Sequence, residues 1–297
     1  MRQQNLRLGI LLMCATSLIF ALQDGMSRHL ASTYNVYMVV MVRYWFFAAF
    51  VLAFAARQPG GLRAAVRSRT LGIQILRGFL LVAEIVVMVF AFVYLGLIES
   101  HAIFACYPLL VAALSGPVLG ERVGWRRWTA IGIGFVGVMI ILQPGLTVFS
   151  PYALIPLLSS TMFALYSLLT RFAARKDPAA VSFFWTGVAG AALITPIGLA
   201  HWEPMTLADS GWMLLLCCTA LTGHFLMIKA LEVAEASAIQ PFAYLQLVFA
   251  TGLAILVFGE SMKTNVLIGT CVVVGAGIFT LIRSRKVATF TDPSARP

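Results

Sequence analysis

Charge is what this chain has least of. Only 11% of its 297 residues are Asp, Glu, Lys or Arg, against about 25% in an ordinary soluble domain. So little charge cannot cover a water-facing surface, which excludes a soluble globular protein. No polar stretch is long enough for a separate soluble domain. Paired cysteines are missing as well. Cys14, Cys106, Cys217, Cys218 and Cys271 all lie in apolar runs, are odd in number and show no C-x-x-C or metal-ligand spacing. That excludes a disulfide framework or a zinc module and leaves small apolar packing residues. No P-loop or nucleophile signature occurs. Gly132-x-Gly134-x-x-Gly137 matches the dinucleotide fingerprint only in letters. The fingerprint needs a preceding strand, whereas inside an apolar helix small residues serve close packing. No catalytic, cofactor or metal site is expected, and the chain is not read as an enzyme.

What the chain has is hydrophobic runs, with 61% of its residues apolar. A helix that crosses a bilayer needs about 20 such residues. Ten spans are predicted, over 8–30, 36–56, 72–95, 100–119, 128–142, 152–174, 179–199, 210–231, 236–258 and 265–282. The first should be broken at Gln23-Asp24-Gly25. Residues 1–7 with the run behind them resemble a signal peptide, but no small-x-small cleavage site follows, so this run is read as a retained first helix.

The basic residues alternate with the spans. Seventeen of the 21 lysines and arginines fall on one side: in the N-terminus, in 57–69, 122–127, 171–176, at Lys229 and after residue 282. Only Arg28 and Lys263 fall on the other, and Arg43 and Arg77 lie within spans. The positive-inside rule then places both termini in the cytoplasm of a multi-pass inner-membrane protein. The net charge of +10 is therefore assigned to topology and anionic lipid rather than to nucleic acid. Tyr34, Tyr37, Trp125, Trp128, Trp202 and Trp212, near the predicted ends, read as an interfacial belt.

The chain also repeats itself. Phe20, Ala21, Leu22, Arg28 and Ala31 match Phe163, Ala164, Leu165, Arg171 and Ala174, and Glu99-Ser-His-Ala-Ile103 matches Glu235-Ala-Ser-Ala-Ile239. A Gly-Glu pair follows each, Gly120-Glu121 and Gly259-Glu260, and a glycine-rich span closes each half. Two halves, 1–145 and 146–297, are expected. Five spans per half force the repeats into opposite orientations, the build of many secondary transporters, with the substrate near the midplane. In these motifs the chain resembles the EamA repeat of the drug/metabolite transporter superfamily, nearest to the YddG-type amino-acid exporters. The resemblance implies an all-α fold of two inverted five-helix repeats. It also implies a central cavity lined by the first four helices of each half, with the fifth peripheral.

Ionisable groups within spans are costly and point to function. Asp24 lies beside Gln23 in the first span, Arg43 in the second, Glu84 in the third and His224 in the eighth. Arg43 and Glu84, at similar depths on consecutive helices, read either as a buried ion pair or as a zwitterion site. In the second case Arg43 faces a carboxylate and Glu84 an ammonium. His224 is either a hydrogen-bonded core residue or a ligand contact. Asp24 either caps the break at Gly25 or acts in transport, and Arg77 and Lys229 snorkel from the inner ends. Thr16, Phe20, Gln23 and Ser27 share a helix face, and Tyr166 is the repeat partner of Gln23. Gln240, Tyr244 and Thr251 share another face, with Gln246 about 200° from Tyr244 and so off it. Tyr107 and Trp185 complete the set, since aromatic rings with polar tips suit amphipathic molecules. The substrate-contact candidates are thus Gln23, Asp24, Arg43, Glu84, Tyr107, Tyr166, Trp185, His224, Gln240 and Tyr244. The expected partners are a small molecule and membrane lipid, and the chain is taken as a monomer. Export of small amphipathic metabolites, amino acids including aromatic ones, by alternating access is the first reading. The second is uptake or efflux of another metabolite, such as S-adenosylmethionine, a vitamin or a drug. Transport is expected to be facilitative, with Asp24 the residue to suspect if protons are coupled. A reporter fused after Arg285 should be cytoplasmic and one inserted at Leu146 external. The reverse in either place would sink the inverted-repeat argument.

Overall fold

The computed structural model of the chain describes residues 5–120, 124–142, 151–234 and 239–291. Among these it contains helices and no strand. The helices are α1 (Leu6–Ala31), α2 (Val36–Arg57), α3 (Gly61–Val66), α4 (Leu71–Phe104), α5 (Tyr107–Leu119) and α6 (Trp125–Leu142) in the first half. The second half has α7 (Leu154–Ala173), α8 (Ala179–Leu199), α9 (Leu207–Val233), α10 (Tyr244–Phe258) and α11 (Thr264–Thr291). Polar caps set several starts: the Asn5 and Asn35 side chains accept from Leu8 N and Tyr37 N, and Thr206 accepts from Asp209 N, satisfying amides that the helix cannot. Six helices are long and apolar enough to cross a membrane. Four shorter apolar ones, Tyr107–Leu119, Trp128–Ile141, Tyr244–Phe258 and Thr264–Ala276, complete ten crossings. α3 is too short to cross and lies in a loop.

The third and fourth crossings share α4. Gly96, at φ +79° and ψ 177°, breaks it, in a region that glycine enters without steric cost. Thr70 before α4 donates to Asp177 (2.6 Å), and Arg175 donates to the carbonyl of Leu119 at the end of α5 (2.7 Å). Both ends of the 71–119 segment therefore meet the 174–177 loop, so the chain crosses twice between them and turns at Gly96. The returning crossing starts at residue 97, not 100, and is interrupted at Ala105–Cys106 before α5. Its repeat partner is interrupted too, by the 3-10 turn Gln240–Ala243 ahead of α10. The expected break in the first crossing is absent. α1 runs through Gln23-Asp24-Gly25 without interruption, and Gly25 is small because a Cβ there would collide with Leu253 of α10.

The packing has the two-fold character that inverted repeats require. α1 packs on α9 and α10, and its repeat partner α7 packs on α4 and α5. The α2–α8 and α6–α11 pairs map onto themselves. α6 and α11 meet through Gly137, the last glycine of the motif that mimics a nucleotide site, and Gly269: a Cβ on Gly137 would come within 2.8 Å of the Gly269 carbonyl oxygen. The repeated Gly-Glu pair also has a structural reason. Gly120 (φ +73°) and Gly259 (φ +65°) each end a helix in the left-handed conformation, the usual helix-stopping role of glycine. Glu260 then accepts from the amides of Leu97 and Ile98, 2.9 Å each, and from the Arg28 guanidinium. Arg28 in turn lies 4.3 Å over the Phe258 ring. Glu121, Glu235 and Leu146 lie outside the described residues. In the belt, Trp125, Trp128, Trp202 and Trp212 are exposed, but Tyr34 is buried. Its hydroxyl donates to Asp209 and accepts from Thr206 N, so it joins the α1–α2 loop to the start of α9 instead of anchoring the protein.

At the basic end, Asp177 ties the halves together. It accepts from Ser68 Oγ (2.5 Å), Arg69 N (2.8 Å), Thr70 Oγ1 (2.6 Å) and Gln74 Nε2 (3.0 Å). Burial pushes this carboxyl up, but the hydrogen bonds outweigh it and hold it at about 2. The folded value lies below the unfolded one of about 3.9. Its stabilisation is therefore complete above about pH 4 and disappears as pH falls from 4 towards 2. Thermal unfolding in detergent should show a larger drop between pH 5 and 2.5 for the parent than for Asp177→Asn, which should also be the less stable protein at pH 7. Equal drops would remove Asp177 as the cause.

Candidate functional site

A cavity of about 430 Å³ lies between α1, α2, α4, α7, α9 and α10. α1 supplies Phe20, Gln23, Asp24 and Ser27, a stripe at steps of three, one and three on one face. α4 supplies Glu84, Ile85, Met88, Val89 and Phe92 in the same way, with Phe104 from beyond the Gly96 corner. Arg43, Phe163, His224 and Gln246 arrive singly from α2, α7, α9 and α10. Residues of α6 and α11 take no part, as the resemblance implies. A mixed lining of charged, amide and aromatic side chains suits a small-molecule site.

The expected Arg43–Glu84 ion pair does not form. Arg43 Nη2 donates to His224 Nε2 (3.0 Å), and Glu84 Oε1 accepts from Ser159 Oγ (2.8 Å). Each charge is held by a neutral group, so both stay available to a ligand. Because His224 Nε2 accepts from a guanidinium, its Nδ1 carries the proton. That N–H, and Gln23 Oε1, are buried without a hydrogen-bond partner among the described residues. An unmet buried polar group costs about 1–3 kcal/mol, and a bound polar molecule recovers it. Asp24 caps no break; it meets His101 Nε2 (3.0 Å) and Gln246 Nε2 (2.9 Å) through Oδ2. Arg28 is engaged with Glu260.

A second cavity of about 210 Å³ adjoins the first and shares Phe104 and Gln246 with it. Its other walls are His101, Ala105, Tyr107, Ala243, Tyr244 and Leu247. The Tyr244 hydroxyl is buried with no hydrogen-bond partner among the described residues. Phe163 links the two spaces: its ring lies 6.4 Å from that of Phe20, 5.5 Å from that of Phe104 and 5.0 Å from that of Tyr107.

The structure thus brings Gln23, Asp24, Arg43, Glu84 and His224 to one cavity and Tyr107 and Tyr244 to the next. Tyr166 sits behind the first cavity, fully buried, with its hydroxyl accepting from Arg77 (3.4 Å). Trp185 turns away, its indole donating to the Val66 carbonyl (3.3 Å). Gln240 falls in the 3-10 turn, and its side chain lies outside the described residues. Arg77 does not snorkel. It is fully buried, bonding Thr170, Gln74, the Ser182 carbonyl, Tyr166 and Thr186. Lys229 is partly exposed and pairs with Glu232, which fits an inner-end position. Sequence reasoning missed Gln246, His101 and Ser159. Helical phase set Gln246 apart from Tyr244 on α10; Gln246 lines the first cavity, which Tyr244 does not, and both border the second. The signal for Gln246 and His101 was their polarity within apolar runs.

With this geometry in view, the matches to known proteins fall into place. The EamA-like transporter family matches at residues 7–143 and again at 150–282. The chain belongs to that family. It is a polytopic membrane transporter of this type, with ten transmembrane helices in two inverted repeats. Among curated proteins it is 23% identical to the S-adenosylmethionine uptake transporter of Rickettsia prowazekii over 90% of each chain. It is 28% identical to the riboflavin transporter of Vibrio cholerae, again over 90% of each. It is 23% identical to the pseudopaline exporter of Pseudomonas aeruginosa over 95% of this chain and 98% of the other. A crystal structure aligns with a TM-score of 0.67 at 15% identity, over 94% of this chain and 98% of its own, a likeness in fold alone.

Since Glu84 is held by Ser159 and not by Arg43, Glu84→Gln in this transporter should purify from detergent at parental yield as a single size-exclusion peak. A loss of yield restored by adding Arg43→Gln would reinstate the ion pair.

Proposed function

We propose that this EamA-family carrier moves an elongated amphipathic metabolite across the bacterial inner membrane by alternating access between its halves. That metabolite joins a charged head to a flat heteroaromatic ring, and S-adenosylmethionine is the first compound to test. The observation that carries the proposal is the pair of adjoining cavities. One holds two carboxyl groups, Asp24 and Glu84, and one guanidinium, Arg43. The other is walled by Phe104, Tyr107 and Tyr244 with an unmet hydroxyl. S-adenosylmethionine brings one carboxylate, two cationic centres and a purine, so its head complements the first cavity in sign and number. A neutral flavin leaves those charges uncompensated, and a buried uncompensated charge is expensive.

The amino-acid reading loses ground here. The relatives, named for S-adenosylmethionine, riboflavin and pseudopaline, favour the other reading: uptake or efflux of a different metabolite. In a carrier of this kind the gradients set the direction, so uptake and efflux use one cavity. The halves also hold each other at both ends: Arg28 of the first meets Glu260 of the second at one, and Asp177 of the second meets Ser68 and Thr70 of the first at the other. These are contacts that rocking about a central site would exchange.

The test is counterflow of labelled S-adenosylmethionine in proteoliposomes, with methionine, adenosine, riboflavin and tryptophan as competitors. S-adenosylmethionine should exchange, and methionine alone should compete weakly. Tyr244→Phe should raise KM about three- to tenfold at unchanged folded yield, the worth of one neutral hydrogen bond. Tryptophan counterflow that is indifferent to S-adenosylmethionine would return the protein to the amino-acid exporters.

A further inference from the structure

His101 stands between two groups that only accept. Its Nδ1 lies 2.9 Å from the carbonyl oxygen of Leu97, one turn back along the same helix. Its Nε2 lies 3.0 Å from Asp24 Oδ2. A carbonyl oxygen and a carboxylate offer no hydrogen, and a neutral imidazole has only one N–H. The first contact takes that N–H, so the second needs another proton, carried either on Nε2 or on the Asp24 carboxyl. The arrangement therefore binds one proton more than a neutral imidazole beside a carboxylate. The site is built for it. His101 is 2% exposed, its ring stacks on Phe92 at 5.2 Å with an interplanar angle of 9°, and Gln246 Nε2 holds Asp24 Oδ2 from the other side at 2.9 Å. Asp24 also lines the central cavity.

We propose that the Asp24–His101 pair is a proton-binding site that exchanges its proton for the cationic group of the substrate. Proton and cation compete for one carboxylate. When the cationic group reaches Asp24, the proton leaves to solvent; the imidazole stays neutral, with Nδ1–H on Leu97 O and its Nε2 lone pair towards the arriving cation. No bond other than the N–H or O–H changes, and the charge at the pair is the same before and after. One pair gives one proton outward for each cation inward, in place of the facilitative transport expected from the sequence. The other ionisable groups that face Asp24 are each held by their own partners: Arg43 of α2 and His224 of α9 hold each other, and Glu84 of α4 is held by Ser159. One turn along α1, Arg28 is held by Glu260 from the α10–α11 loop.

The proton itself can be read without any substrate. In detergent, the protein labelled with ¹⁵N-histidine should show one ring protonated on both nitrogens, or the infrared spectrum should show a carboxylic-acid band from Asp24. Either signal should vanish in Asp24→Asn. Neither signal in the folded parent protein would overturn the proposal. The coupling arm rests on the function proposed above. In proteoliposomes with equal S-adenosylmethionine on both sides, an acidic interior should drive accumulation. His101→Gln should lower that gradient-driven accumulation far more than it lowers counterflow, an outcome that a merely structural role for His101 would not give. Accumulation that survives His101→Gln would overturn the proposal, as would parent protein that shows counterflow but ignores the gradient. Absence of counterflow for every compound would refute the substrate reading and leave the proton measurement standing.

Discussion

The first amides of a helix have no carbonyl within the helix to bond, so wherever this chain turns from one crossing into the next, other groups must take them over. The Glu260 carboxylate meets that demand at the α4 corner. Gly96 turns the chain, the amides of Leu97 and Ile98 open the returning helix, and Glu260 accepts from both. A negative group is favoured there for a second reason, the positive end of the helix dipole. Arg28 compensates the carboxylate and is itself spread over Phe258. The corner directs residues 97–104 back into the bundle, and with them His101 and Phe104. Cavity walls and corner are one construction, and a change in the loop between α10 and α11 would be felt at the site.

The charges inside the bundle are arranged on a different principle from those at its ends. At the ends, opposite charges meet: Arg28 with Glu260, Lys229 with Glu232 and Lys263 with Glu99. Inside, Arg43 is held by an imidazole, Glu84 by a hydroxyl, and Arg77 by hydroxyls, an amide and a carbonyl. Replacing a buried ion pair by apolar groups is often harmless, whereas a lone buried charge is costly to keep. Charges held by neutral groups are therefore a poor device for stability and a suitable one for binding. They are oriented and desolvated, and still lack a counter-charge that a ligand can bring.

This transporter shares its architecture with relatives named for chemically different cargo, at identities of 23–28%. The framework is set by helix length, glycine contacts and the exchange of helix pairs between halves. The lining is set by a handful of side chains, and cargo follows the lining rather than the fold.

The sequence by itself determined the membrane class, the ten crossings and the inverted repeat. Those features depend on composition, run length, the parity of basic loops and glycine spacing, all of which are local or periodic. It also picked out Asp24, Arg43, Glu84 and His224, because burial of a polar group in an apolar run is visible without coordinates. Which of these groups touch was decided only by the tertiary structure. Matching depth on consecutive helices suggested Arg43 with Glu84, yet depth carries no information about rotation, and the helices turn the two side chains towards His224 and Ser159. Helical phase set Gln246 and Tyr244 on different faces of one helix and so left Gln246 out; it could not show that cavities meet that helix on more than one face. His101 escaped notice because its significance lies in facing Asp24, 77 positions away in sequence, and no periodicity within a single span can report a partner on another helix.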